Sequence, residues 1–162
     1  MRSGCADSAH TMTRKNLVVS VDFGEASNIV IEKAGELAQQ ISAQIVLVHV
    51  IEPAVALVPL GNKKRSVGAA WPLRTSKRVA EARARLSSLA QPLKAAGIGM
   101  KSEVAIGLLG DELLRISVKY RADYVVLGTS EPPAKHLTTR GAFGGLLNRI
   151  ACPVIIVPAR AS

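Results

Sequence analysis

Short apolar runs alternate along the chain with longer stretches in which apolar residues recur every three or four positions. "LVVSV" at 17–21 is a compact β-branched run, which predicts a strand buried on both faces. "IVLVHV" (45–50), "YVVL" (124–127) and "VIIV" (154–157) read the same way. "MKSEVAI" (100–106) alternates before turning apolar, and predicts another strand. Between these runs, Val30, Ala34, Leu37, Ala38 and Ile41 fall at helical spacing, as do Val79, Ala82, Leu86, Leu89, Ala90 and Leu93. Asp22, Glu25 and Ser27 read as cap and first-turn residues of the first helix, because helix N-termini favour acceptors and negative charge. Gly97 and Gly99 end the second helix. Gly107 and Gly110 predict a turn, with Asp111 capping a third helix that contains Leu114 and Val118. A fourth helix is expected around Leu146 to Ile150. The proline- and glycine-bearing stretch from Pro53 to Pro72 reads as a long loop.

Strand and helix thus alternate from end to end. That order predicts an α/β fold, a Rossmann-like parallel sheet with helices on both faces. Such sheets take ligands beyond the carboxyl ends of their strands, where the strand order reverses. The segments at those ends include Asp22–Gly24, Val50–Glu52, Gly107 and Gly128–Gly141.

Composition agrees with this pattern. The chain of 162 residues is 48% hydrophobic but only 3% aromatic, so its core must be built from Val, Ile, Leu and Ala. One domain is expected, over residues 16–160, after a flexible leader over 1–15. The leader has no apolar centre and does not read as a signal peptide; Met12 is an alternative start. No apolar run reaches the ~20 residues of a membrane span. Cys5 and Cys152 make neither a disulfide framework nor a metal site, and Cys152 reads as a small buried hydrophobe. A reducing cytoplasm is the expected compartment.

The net charge of +9 is concentrated. Residues 62–85 carry Lys63, Lys64, Arg65, Arg74, Lys77, Arg78, Arg83 and Arg85 against Glu81 alone. Residues 1–15 carry Arg2, Arg14 and Lys15 against Asp7, and the remainder is neutral. The basic segment is either a solvated face or a surface for an acidic protein or other acidic partner. Nucleic acid is disfavoured, because only Trp71 lies nearby to stack on bases.

Four segments together resemble the universal stress protein family. "NLVVSVDFGEAS" is similar to its first strand, Asp and helix cap; "AQIVLVHVIEP" to its second strand; "ADYVVLGTS" to the strand before its signature glycine; and "RIACPVIIVP" to its closing strand. The likeness covers roughly residues 16–158. It implies five parallel strands in the order 3-2-1-4-5 and a homodimer formed through the C-terminal strand. In nucleotide-binding members a Gly-x2-Gly-x9-Gly-Ser/Thr loop holds phosphates, the Asp after strand one lies near base and ribose, and the end of strand two meets adenine. Carried onto this chain, the resemblance implies a site for ATP or AMP at Asp22, Phe23, Val50, Gly128, Thr129, Ser130, Gly141 and Ala142.

The phosphate loop departs from that pattern. Glu131 stands at the second glycine and Ala142 at the hydroxyl position, and Pro132 and Pro133 lack N–H donors. Like charges ~4 Å apart repel by about 1 kcal/mol in water and about 4 kcal/mol at an effective dielectric of 20. Lys135, His136, Thr138, Thr139 and Arg140 offer other donors, or are ordinary loop residues. No carboxylate, histidine and nucleophile converge in the sequence, His49 reads as a core residue, and no catalytic or metal-binding residue is assigned. Weak ATP hydrolysis is the most the resemblance implies. Two functions follow: a stress-response module that binds an adenine nucleotide or nucleoside through a degraded phosphate loop, or a dimeric regulatory protein that binds no nucleotide and works through residues 62–85.

Overall fold

The computed structural model describes residues 14–24, 26–52, 70–129 and 144–158. Five strands carry the fold: β1 (Lys15–Ser20), β2 (Ala43–Ile51), β3 (Met100–Ile106), β4 (Tyr124–Thr129) and β5 (Val154–Pro158). All neighbouring pairs are parallel, in the order β3-β2-β1-β4-β5. The expected α/β sheet and strand order are therefore those observed. Helices α1 (Ala26–Gln40), α2 (Ala70–Ala95), α3 (Leu109–Lys119) and a single turn, α4 (Gly144–Leu147), make the described crossovers.

Strand periodicity sorts the core into two layers. Leu17 and Val19 of β1 pack with Val30 and Ala34 of α1 and with Leu86 and Ala90 of α2. Val18, between them in sequence, packs on the opposite face with Leu113 and Ile116 of α3 and Leu146 of α4. Leu17, Val18 and Val19 are all fully buried, which is why the central run shows no polar alternation. Gly35 lets α1 and α2 approach closely: a Cβ there would stand 2.6 Å from Leu93 Cδ2.

The starts of two helices differ from the sequence reading. The second helix begins at Ala70, inside the stretch read as a loop, and runs through Pro72 and Pro92. Pro72 falls in the first turn, where a backbone N–H has no helical partner to lose. The helix ends in a Schellman motif: Gly97, at φ 77°, donates to the Lys94 carbonyl, and Ile98 donates to Leu93. The third helix starts at Leu109 rather than after Asp111, whose carboxylate instead takes a 2.6 Å bond from Arg149. Val118, one of the two apolar residues read into this helix, does lie in it but is 71% exposed. Cys152, expected to be buried, is half-buried beside the α3 layer, and burial is the chief cause that raises its thiol pKa. At the N-terminus β1 takes in Lys15, which the sequence reading gave to the leader.

Candidate functional site

At the carboxyl ends of β1, β2 and β4 the chain leaves a cleft of about 420 Å³, bounded by the start of α1 and by Arg78 and Leu109. It sits where the strand order reverses between β1 and β4. Asp22, Val50, Gly128 and Thr129 all line it, so segments far apart in sequence meet there as expected. Ser130, Gly141 and Ala142 lie outside the described residues. Phe23 does not line this cleft; it borders a second depression, between the β1–α1 turn and α2.

Asp22 shapes the entry to α1. Its Oδ1 accepts from the Gly24 amide at 2.8 Å and from the Ser27 hydroxyl at 3.1 Å. The Ser27 amide donates in turn to the Gly24 carbonyl at 3.0 Å. One carboxylate oxygen thus organises the turn, and this satisfies groups that the helix start would otherwise leave open.

Phe23 adopts φ 64°, a left-handed conformation that few bulky residues take. The surroundings hold it there. Its ring lies 4.1 Å from the His49 ring, and the Arg85 guanidinium stands 4.4 Å from its centre. A cation over an aromatic face contributes about 0.5–1 kcal/mol at an exposed site. His49 is half-buried rather than a sealed core residue, and it reaches the cleft wall. Its Nδ1 lies 2.8 Å from the Val21 carbonyl, which can only accept, so Nδ1 carries a proton and donates to it.

Gly128 is fixed by packing. A Cβ at this position would meet Val30 Cγ2 at 2.5 Å, well inside van der Waals contact. The glycine lets α1 settle on β4 at the cleft floor. Val50, at the other wall, closes on the α3 layer and is half-buried.

Three groups at or beside the cleft escaped the sequence reading as site residues. Glu52 lines the cleft, and its Oε1 accepts from the Leu109 amide at 3.1 Å. It serves the start of α3, where the residue before the helix makes no side-chain cap bond. Arg78 brings a cation to the cleft from α2. Arg85 anchors the same helix to Phe23. The signal for Glu52 was its place just after strand two; both arginines were visible only as members of a basic run. Among the described residues no group of three or more His, Cys, Asp or Glu is placed to hold a metal ion, and no helix is long and apolar enough to cross a membrane.

Comparison with solved structures returns the same architecture. The universal stress protein UspA from Lactobacillus plantarum is 19% identical, with a TM-score of 0.67 over 88% of this chain and 97% of its own. A universal stress protein in complex with cAMP is 20% identical, with a TM-score of 0.61 over 90% of this chain and 98% of its own. The universal stress protein from Archaeoglobus fulgidus in complex with dAMP is 17% identical, with a TM-score of 0.61 over the same shares. No curated protein matches the chain. A family model, described as the universal stress protein family, matches residues 13–158. The segments that resembled that family in the sequence all fall within this match, and the chain belongs to the universal stress protein family.

Proposed function

We propose that this chain is a stress-response binding module whose cleft takes an adenine nucleoside or nucleotide. The observation that carries the reading is the meeting of Asp22, Val50, Gly128 and Thr129 around one cleft at the topological switch point. Two structures of the same fold are described as complexes with cAMP and with dAMP, which supports an adenine ligand. The cleft's volume is of the order that binds small molecules. Ser130, Gly141 and Ala142 belong to the phosphate side of the site by the family resemblance. Glu131, Pro132 and Pro133 oppose a triphosphate there by charge and by lost donors. Arg78 is a cation at the cleft itself. The preferred ligand is therefore AMP or adenosine rather than ATP.

On the same reading, residues 16–160 form the domain, which acts in the cytoplasm as a homodimer through β5. The edge position of β5 and its half-buried Val154, Ile155 and Ile156 support that pairing. No catalytic residue is assigned. A second reading, a regulatory protein that binds no nucleotide, is favoured by the exposed Lys77, Arg78, Arg83 and Arg85 on α2.

Calorimetric titration with adenosine, AMP and ATP, with and without magnesium, separates the two. The first reading expects saturable binding of AMP or adenosine, with ATP no tighter than AMP, and weaker AMP binding in Arg78→Ala. Absence of binding by all three ligands at millimolar concentration refutes it and leaves the second.

A further inference from the structure

Beyond the cleft, the opposite side of α2 meets an edge of the sheet that no other described strand covers. β3 is the outermost strand and pairs only with β2 among the described strands. Its backbone directions follow from two bonds: the Gly99 carbonyl accepts from Ile45, and the Gly107 amide donates to Ile51. Residues 99 and 107 thus point toward β2. Parallel strands alternate, so Lys101, Glu103 and Ala105 point the same way, while the N–H and C=O groups of Ser102 and Val104 point outward. Those outward groups face a groove of about 580 Å³ between α2 and the end of α3. An open edge of this kind is a template for an additional strand.

The walls of the groove are cationic. Arg83, Ser87 and Lys94 line it from α2, with Lys119 and Tyr120 on the α3 side. Glu103 is the one carboxylate in the lining, and it is already bonded by Lys119 at 2.7 Å and by Arg115 at 3.1 Å. Arg83 and Lys94 make no ion pair among the described residues. We infer that this groove docks an acidic, extended peptide of a partner protein, added to the sheet as a strand beside β3. Its main chain bonds Ser102 and Val104. Its alternate side chains fall on the two faces of the sheet, the acidic ones toward Arg83 and Lys94.

The charges disfavour other occupants. Residues 53–69 carry Lys63, Lys64 and Arg65 with no acid, and residues 130–143 carry Lys135 and Arg140 against Glu131, so the chain's own loops do not complement the groove. A second copy would bring the same basic edge, on a chain of net charge +9. Nucleic acid fits less well. It cannot continue a backbone ladder, and the one aromatic in the lining, Tyr120, already has Lys101 and Lys119 over its ring.

The test uses the full chain and a fluorescein-labelled peptide alternating glutamate and valine, with anisotropy read against salt. The peptide is expected to bind, and to weaken as salt rises. Reversing both wall charges with Arg83→Glu and Lys94→Glu, at two exposed positions, should weaken binding at least about tenfold. Ser102→Pro removes one outward N–H at a place where an edge strand tolerates proline, and should weaken it comparably. In the unaltered protein the Ser102 and Val104 amides should slow their hydrogen exchange on peptide binding, which reads the ladder without any substitution. The inference is overturned by no salt-dependent binding of the peptide, by binding that both variants leave unchanged, by exchange at Ser102 and Val104 that the peptide does not alter, or by tighter binding of a labelled oligothymidylate than of the peptide.

Discussion

Replacing Gly128 by alanine tests whether this glycine serves packing or ligand approach. The added Cβ would stand 2.5 Å from Val30 Cγ2. Carbon atoms rest at ~3.5–4.0 Å, so about 1 Å or more of overlap must be relieved. Val30 is 1% exposed, and a β-branched side chain on a helix has little rotamer freedom. The relief must come from α1 moving off β4. Overpacking of this kind costs about 1–3 kcal/mol. At about 2 kcal/mol, a domain of this size should lose about 4–8 °C in Tm. Urea unfolding followed by circular dichroism measures the change without any ligand. Val30→Ala alone should also destabilise, by about 2 kcal/mol, because it leaves a buried void. The double variant lets the new methyl occupy that void, so its loss should fall short of the sum by at least about 1 kcal/mol. Additive losses would refute the packing argument. So would a Gly128→Ala protein of unchanged stability, which would return this glycine to a role in ligand approach alone.

Substitutions at three further positions probe other parts of the fold. Asp22→Ala removes the acceptor for the Gly24 amide and the Ser27 hydroxyl and should destabilise by about 1 kcal/mol, whereas Asp22→Asn keeps an acceptor oxygen and should lose less; thermal melts of the pair check this. Arg121 sits at φ 48° where α3 ends, with its amide donating to Val118 and the next amide to Ser117, so Arg121→Gly should stabilise by about 1 kcal/mol in chemical unfolding. For Glu103, burial alone would raise the carboxyl pKa, but hydrogen bonds from Lys119, Tyr120 and Arg115 outweigh it and hold the pKa below its ordinary value. A carboxyl whose pKa falls on folding stabilises above its unfolded value, near ~4.3, and loses that contribution as pH drops through the folded one. Glu103→Gln should therefore melt lower at pH 7, with the gap to the parent closing below about pH 4; a gap independent of pH would show that packing, not charge, holds this edge.

The sheet was legible because its strands are buried on two faces. Leu17, Val18 and Val19 serve different layers, yet in sequence they are simply an apolar run, and that run already marks a central strand. The start of α2 was not legible. Pro72 reads as a breaker, and only its place in the first helical turn makes it compatible with a helix. Asp111 misled for a related reason. It is a good capping residue by type, but Leu108 takes the cap position without a side-chain bond, while Glu52, from the end of β2, reaches the Leu109 amide. A cap supplied across the sheet leaves no local pattern.

The same distinction runs through the cleft. Asp22 announces itself because it acts within its own turn, whereas Gly128 shows in the sequence only as a glycine at a strand end, and its packing partner Val30 is brought near by the fold. His49, Arg78 and Arg85 acquire meaning only through partners brought near by the fold. Arg85 is a surface cation in the sequence; in the fold it stands over Phe23, whose ring also meets His49, which in turn holds the Val21 carbonyl at the mouth of β1. That chain of contacts ties α2 to the ends of β1 and β2, two of the three strands that form the cleft. The basic helix and the ligand cleft are therefore physically joined, and loss of the Phe23 ring should loosen both. Phe23→Ala should raise hydrogen exchange in the β1–α1 turn and along the α2 segment around Arg85 together. An increase confined to the turn would mean that α2 is held by the apolar layer of Leu86, Ala90 and Leu93 alone.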